Sequence, residues 1–374
     1  MLREKRASVL LVVLITITFA AFMLTAFIER ASTDLLVEER AATANHLRAD
    51  AYSSLEVTLA VLSEFIQTDG ALHSPAEGWG DPLAFAGYEP ASGRTVEVTF
   101  KDESGKLSLP HTDVTQLTNL FQSWGVTQSD ADELADALLT WMRADHVAST
   151  DAGTPDYDRA AIPYAAPQRS LRSFDELAAI DFVNKKFYDE NGRPNDLWQH
   201  FAAAFSLYDF PQSNLNAAGS DTFAAYGQSA PGLQQNLSDY LQGTGDYKQQ
   251  GPGYFKNTSD ANSLLGGQTL PQGIDTKVSA LRVIVTVHEA NASFQLNVVV
   301  APPNGAKPVA STEQVANANS AATNQPASGA ATTASASTAT AVQLNYPFTL
   351  LEVHEEIIDN AGKPPPPSDT TPSI

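Results

Sequence analysis

Four aspartates, Asp145, Asp151, Asp156 and Asp158, stand close together in the loop TWMRADHVASTDAGTPDYD, and they are the residues of this chain best suited to metal chemistry. Carboxylate oxygens are hard ligands, and calcium takes six to eight oxygens in flexible geometry. Their spacing departs from the EF-hand pattern D-x-D-x-D-G, so two readings stay open: a calcium loop or a solvated acidic loop. The chain has no cysteine, which excludes a disulfide framework, a thiolate metal site and a thiol nucleophile. Its seven histidines (His46, His73, His111, His146, His200, His288 and His354) are too scattered to form a ligand set and read as surface or packing residues. The motifs G-x-S-x-G, G-x-x-x-x-G-K-[ST] and H-E-x-x-H are absent. His354-Glu355 comes closest, but Ile358 stands where the second histidine would be. No catalytic residue can be named, and the chain reads as a non-enzyme.

The element that positions everything else lies at the N-terminus. Residues 8–28, SVLLVVLITITFAAFMLTAFI, contain no charge, Gly or Pro, and Arg3, Glu4, Lys5 and Arg6 precede them directly. As a helix this run is about 32 Å long, enough to cross a hydrocarbon core of about 30 Å. Thr16, Thr18 and Thr25 are compatible with a span, because a helical Thr hydroxyl can bond a carbonyl one turn back. Basic residues before the run and acidic sequence after it predict a cytoplasmic N-terminus and an external remainder. A secretory signal is the competing reading. Against it, the run exceeds a usual signal core, and no small-x-small site closes it.

The helix continues beyond the span. Residues 29–67 contain no Gly or Pro, and Ala44, Leu47, Ala51, Leu55, Leu59, Leu62 and Ile66 recur at intervals of three and four. One rod of about 60 residues, about 90 Å long, is predicted to run to Asp69-Gly70, with an amphipathic outer half that needs a surface to lie on.

A short basic leader, a small residue, an immediate apolar span and an amphipathic continuation resemble the N-terminus of type IV pilins and type II secretion pseudopilins. The resemblance implies cleavage by a prepilin peptidase between Ala7 and Ser8, with residues 1–7 as leader and 8–70 as the mature helix. Ala7 replaces the family's usual Gly. The family's usual Glu at mature position five is Val12 here. In the family that carboxylate is thought to neutralise the free amine of the subunit above, a buried charge otherwise costly to hold. The K-type minor pseudopilin characteristically lacks it and is taken to sit at the filament tip.

The rest of the chain fits the resemblance. A formal net charge of −21 makes nucleic acid and anionic lipid poor partners and cations better ones. Residues 71–93 read as a loop anchored by Trp79, Phe85 and Tyr88. A strand follows, with Val96, Val98 and Phe100 on one face, then a turn at Asp102-Glu103-Ser104-Gly105 and an extended run to Pro110. VEVTFKDESGKLSLP resembles the K-type strand and turn. Short helices are predicted from Val114 onward: one with a capping box at Asp113 and Gln116, one capped by Ser129, one with a capping box at Ser173 and Glu176, and one capped by Asn195 or Asp196. The Trp141 region, SFDELAAI and PQSNLNAA resemble segments of the helical domain that K-type subunits insert into the pilin fold. The family is reported to hold calcium in that domain. Arg143 replaces its first Asp, so one candidate ligand is lost. No cofactor is required, and calcium is the one candidate.

Leu281, Val283, Val285 and Val287 alternate, as do Phe294, Leu296, Val298 and Val300, around a turn near Glu289-Ala290-Asn291. They predict an antiparallel hairpin whose apolar face receives Leu55, Leu59, Leu62 and Ile66. Residues 306–343 read as a disordered insertion and 346–358 as a last strand. The expected fold is therefore α+β: a long transmembrane helix on an antiparallel pilin-like sheet, 71–110 and 272–358, with an inserted all-α domain at 111–271. Residues 359–374 form a Pro-rich tail. The resemblance implies a single-pass inner-membrane protein with periplasmic domains, which starts and caps the pseudopilus. Its implied partners are the I- and J-type minor pseudopilins, the inner-membrane assembly platform and prepilin peptidase. A minor pilin of a type IV pilus and an anchored periplasmic binding protein that never assembles are the alternatives.

Overall fold

The computed structural model describes residues 2–153, 157, 163–227, 231–262, 264, 270–290, 292–308 and 347–359. With no Gly or Pro to interrupt it, α1 (Leu2–Asp69) is one helix of 68 residues. It stops at Gly70, which takes φ +80° and bonds back to the Ile66 carbonyl at 2.8 Å. Inside the span the hydroxyls of Thr16, Thr18 and Thr25 donate to the carbonyls of Val13, Leu14 and Ala21 at 2.8–3.0 Å. No part of the fold covers residues 13–28, and their apolar side chains are exposed.

After a short helix, α2 (Pro82–Ala86), comes β1 (Arg94–Asp102). It pairs with β6 (Leu281–Glu289), which pairs with β7 (Ala292–Ala301), which pairs with β8 (Thr349–Asp359). All three pairings are antiparallel. The two-residue alternation puts Val283, Val285 and Val287 of β6 on the same face as Phe294, Leu296 and Val298 of β7. α1 lies across these two strands and buries Leu47, Ala51, Leu55, Leu59 and Leu62 against them, with Ile66 partly buried in the same core. Each such leucine stabilises the packing by about 1.5–3 kcal/mol. Polar clamps close both flanks. Asp50 of α1 holds Arg94 of β1 at 2.6 Å, and Arg48 and Tyr52 both donate to Glu355 of β8, at 2.7 and 2.6 Å.

Two details of this half depart from the sequence reading. Trp79 is fully buried, edge-on to Phe100, and donates to Glu77, but Phe85 is 55% exposed and leans on Phe65. Phe85 is therefore no buried anchor: α2 buries Pro82 and Leu83 and leaves Phe85 on its outer side. Ala306 is buried, and Lys307 bridges Asp209 through two backbone hydrogen bonds, so these two residues belong to the folded body. Residues 309–346 and 360–374 lie outside the described residues.

The segment between β1 and β6 builds the helical insertion. It contains β2 (Leu107–Ser108), α3 (Val114–Ser123), α4 (Gln128–Met142), α5 (Asp181–Phe187), α6 (Asp196–Ala204), β3 (Phe205–Ser206), β4 (Ser213–Asn214), α7 (Ser220–Ala225), α8 (Pro231–Gln242), α9 (Thr258–Asn262) and β5 (Ile274–Asp275). Leu117, Leu120, Phe121, Leu134, Leu138, Phe187, Phe201 and Phe205 fill its main core, where the Phe121 and Phe201 rings stack 6.3 Å apart. The extended run after Gly105 is short. Only Leu107-Ser108 pairs, parallel to β3, before a 3-10 turn over Leu109–His111. Asp113 and Gln116 make a true capping box. The other caps are corrected by geometry. Thr127, not Ser129, caps α4, since Ser129 already lies inside the helix. Ser173 heads a 3-10 turn, and Glu176 reaches past it to the Arg172 N–H at 3.0 Å, so the reciprocal box is absent. Of the two candidates at α6, Asn195 is the cap.

Candidate functional site

The surfaces that could carry function are the N-terminal helix and the seam joining the sheet to the helical insertion. On the helix, Ala7, Ser8 and Val12 lie in one continuous helical run with the span. Leu55, Leu59 and Leu62 come together in the core, with Ile66 at its margin.

Asp145 and Asp151 are exposed, and Asp156 and Asp158 lie outside the described residues. The loop is organised instead by Asp136 of α4, which sequence reading missed. Its carboxylate is 2% exposed and accepts from the N–H groups of Ser149 and Thr150 at 2.9 and 2.7 Å, from the Thr150 hydroxyl at 2.8 Å and from His146 Nε2 at 2.7 Å. Burial raises its pKa, but the bonds from His146, Thr150 and Ser149 outweigh burial and hold the carboxyl below its ordinary value. Oxygens occupied by four protein donors have little left to give a cation. No group of three or more His, Asp or Glu suited to a metal occurs among the described residues. Arg143 donates to the carbonyls of Pro110 and Thr112, tying the end of α4 to the approach of α3. An Asp there could not make those bonds.

The seam is built at the end of β1. Asp102 caps the turn over Glu103–Gly105 by accepting from Ser104 N at 2.8 Å. Across the gap, Asn214 donates to Asp102 Oδ2 at 2.6 Å and to the His73 carbonyl at 2.9 Å. Asn216 donates to the carbonyls of Phe255 and Thr276 and accepts from Phe255 N. Gly105 is needed here, because a Cβ would meet the Ala217 carbonyl oxygen at 2.4 Å. Parallel pairing of β4 with β5 closes the joint. PQSNLNAA is thus a clasp, and its spaced Asn pair was the available signal. Lys256 reaches from the insertion to Asp69 at the end of α1, at 3.0 Å.

A membrane-length apolar helix that continues onto an antiparallel sheet, with a helical body between the first two paired strands, is a pilin-like arrangement. Residues 101–191 match the family model described as Type II secretion system (T2SS), protein K. Residues 101–191 therefore carry a T2SS protein K domain. Among the described residues one helix, α1, is long and apolar enough to cross a membrane, and it fits a membrane anchor. No curated protein matches the chain. A solved structure, the GspK-GspI-GspJ complex of the type 2 secretion system from enterotoxigenic Escherichia coli, contains a similar chain. That chain is 14% identical, with a TM-score of 0.47, and the match covers 73% of this chain and 95% of that one.

Proposed function

We propose that the protein's work is architectural rather than catalytic: it starts the pseudopilus in the inner membrane and caps its tip. Prepilin peptidase cuts between Ala7 and Ser8, the new N-terminus stays on the cytoplasmic side, and everything beyond the span lies in the periplasm. α1 packs with the I- and J-type minor pseudopilins and with the assembly platform. The observation that carries the tip position is where the insertion sits. β1 begins at Arg94 beside Asp50 of α1 and ends at Asp102, where the insertion leaves; the return is at Leu281, the register partner of Asp102. The insertion therefore rises from the end of the sheet away from the span and touches the end of α1 through Lys256. A body of that size above the sheet obstructs the place of a further subunit. Val12, in place of the family's Glu, removes the group that such a subunit would need.

Two measurements test this reading. Mass spectrometry of the membrane-expressed chain, with and without a matching peptidase, is expected to find a peptidase-dependent, N-methylated start at Ser8. An intact N-terminus would favour a plain anchor, and a cut beyond Ile28 an ordinary secreted protein. The variant Val12→Glu is expected to assemble as the parent does; its incorporation along the filament body would overturn the tip position.

A further inference from the structure

The two outer strands of the sheet are finished differently on the side where α1 lies. At β1 the loop after α1 folds over the edge: Trp79 meets Phe100 edge-on at 5.0 Å, and Val96, Val98 and Phe100 are partly buried in the core. At β8 the corresponding side chains are left open. Leu350, Val353 and Ile357 are the register partners of the core residues Val300, Val298 and Phe294 and share their face, yet they stand 51%, 47% and 64% exposed. α1 meets this strand through a polar clamp, Arg48 and Tyr52 on Glu355.

β8 is also the last strand of the sheet, so the backbone N–H and C=O groups that face away from β7 have no strand to pair with among the described residues. Its 11 residues include no Pro to block a ladder and no Lys or Arg. Its charges are all acids: Glu352, Glu355, Glu356 and Asp359. Arg282 takes Glu352 at 3.3 Å and Arg48 takes Glu355 at 2.7 Å, while Glu356 is exposed. On the face away from α1, Glu352, His354 and Glu356 follow one another at every second position, opposite Val299, Asn297 and Gln295. The strand thus offers free backbone at its edge, an apolar row on one face and an acidic row on the other.

We propose that β8 is a docking edge for an extended segment of another protein, which adds as a fifth strand. That segment carries Lys or Arg at alternate positions, facing the row of Glu352 and Glu356, and apolar side chains between them, facing Leu350, Val353 and Ile357. Main-chain bonds supply the affinity and the alternation supplies the selection. Charge disfavours the nearer occupants. A second copy that paired β8 with β8 would set one acidic row against another, and its β1 offers as many acids (Glu97, Asp102) as bases (Arg94, Lys101). Residues 309–346, which precede β8, contain one charged residue, Glu313, and so bring no cation. Residues 360–374, which follow it, include Pro364 to Pro367, and proline has no N–H to give a ladder. The dock goes beyond the proposed tip position and does not depend on it.

Titration of the full-length chain in detergent with three fluorescent decapeptides tests the dock. One alternates Lys with Val or Thr, the second has Glu for each Lys, and the third is the Lys peptide N-methylated at alternate backbone nitrogens. The Lys peptide is expected to bind, more weakly as salt rises, and the other two to bind about tenfold more weakly or worse. Hydrogen exchange is expected to find alternate amides of 349–359 fast in the free chain and slowed by the Lys peptide. Glu356→Lys, an exposed change, is expected to weaken that peptide about fivefold. No binding of the Lys peptide, equal binding of the N-methylated one, an unchanged affinity in Glu356→Lys, or slowing elsewhere than 349–359 overturns the proposal. So does a β8 as protected as β7 in the free chain, which would mean that residues 309–346 or a second copy already hold the edge; sedimentation velocity tells those two apart. None of these readouts depends on cleavage at Ala7 or on filament assembly.

Discussion

Gly153 and Asp136 occupy one space: a Cβ on Gly153 would lie 2.4 Å from Asp136 Oδ2. Gly153 carries no positive φ, so the requirement is close approach and not backbone freedom. Gly153→Ala is expected to destabilise the chain by about 1–3 kcal/mol, with the loss confined to the loop and the end of α4. Urea unfolding, with limited proteolysis between residues 143 and 153, checks this; an unchanged midpoint with an uncut loop would refute it.

Removing Asp136 itself strands four donors. Asp136→Ala is expected to cost about 3 kcal/mol or more, because each buried unsatisfied donor costs about 1–3 kcal/mol. Thermal unfolding monitored by near-UV circular dichroism reads it out.

The pH dependence of this site follows from a lowered carboxyl. The Asp136 carboxyl lies below its ordinary value in the fold, so its contribution is present above the unfolded pKa near 4 and is lost as pH falls through the lowered one. Asp136→Asn is therefore expected to flatten the acid limb of a stability profile below pH 4. A profile in urea midpoints, parent against variant, decides.

The sheet contact is tested by a matched pair. Leu59 is 2% exposed between α1 and the hairpin, while Leu35 is 66% exposed on the same helix. Leu59→Ala is expected to cost about 2–5 kcal/mol, and Leu35→Ala to stay within about 0.5 kcal/mol. Equal effects would mean that α1 is not held where it lies.

Gly105→Ala should open the seam without touching any charge, since the Ala217 backbone cannot move aside cheaply. Hydrogen exchange is expected to rise in peptides 102–108 and 212–218 at both pH 5 and pH 7.5. A rise at one pH alone would contradict the steric origin.

What was legible in the sequence was what repeats. α1 has an unbroken three-four stripe and no Gly or Pro, and β6 and β7 alternate cleanly, so local pattern and burial point the same way. The seam could not be read that way, because Asn214 meets Asp102 across 112 positions and neither residue belongs to a periodic pattern. Asp136 was hidden for a related reason. It sits among Ala135, Ala137 and Leu138 on a helix buried on nearly every side, where an acid looks like an exception to the face and not its organiser. The cap of α4 slipped by two residues because Thr127 and Ser129 have the same chemistry, and only backbone geometry separates them.

α1 crosses from the span to the far end of the sheet without a flexible residue, and Asp50–Arg94 and Arg48–Glu355 fix it on either side. Mechanically it is a shaft with no joint. At about 100 Å in length, a tilt of about 10° at the membrane end displaces the other end by about 18 Å. Motion imposed within the bilayer therefore reaches the membrane-distal body amplified, with no loop along the shaft to absorb it.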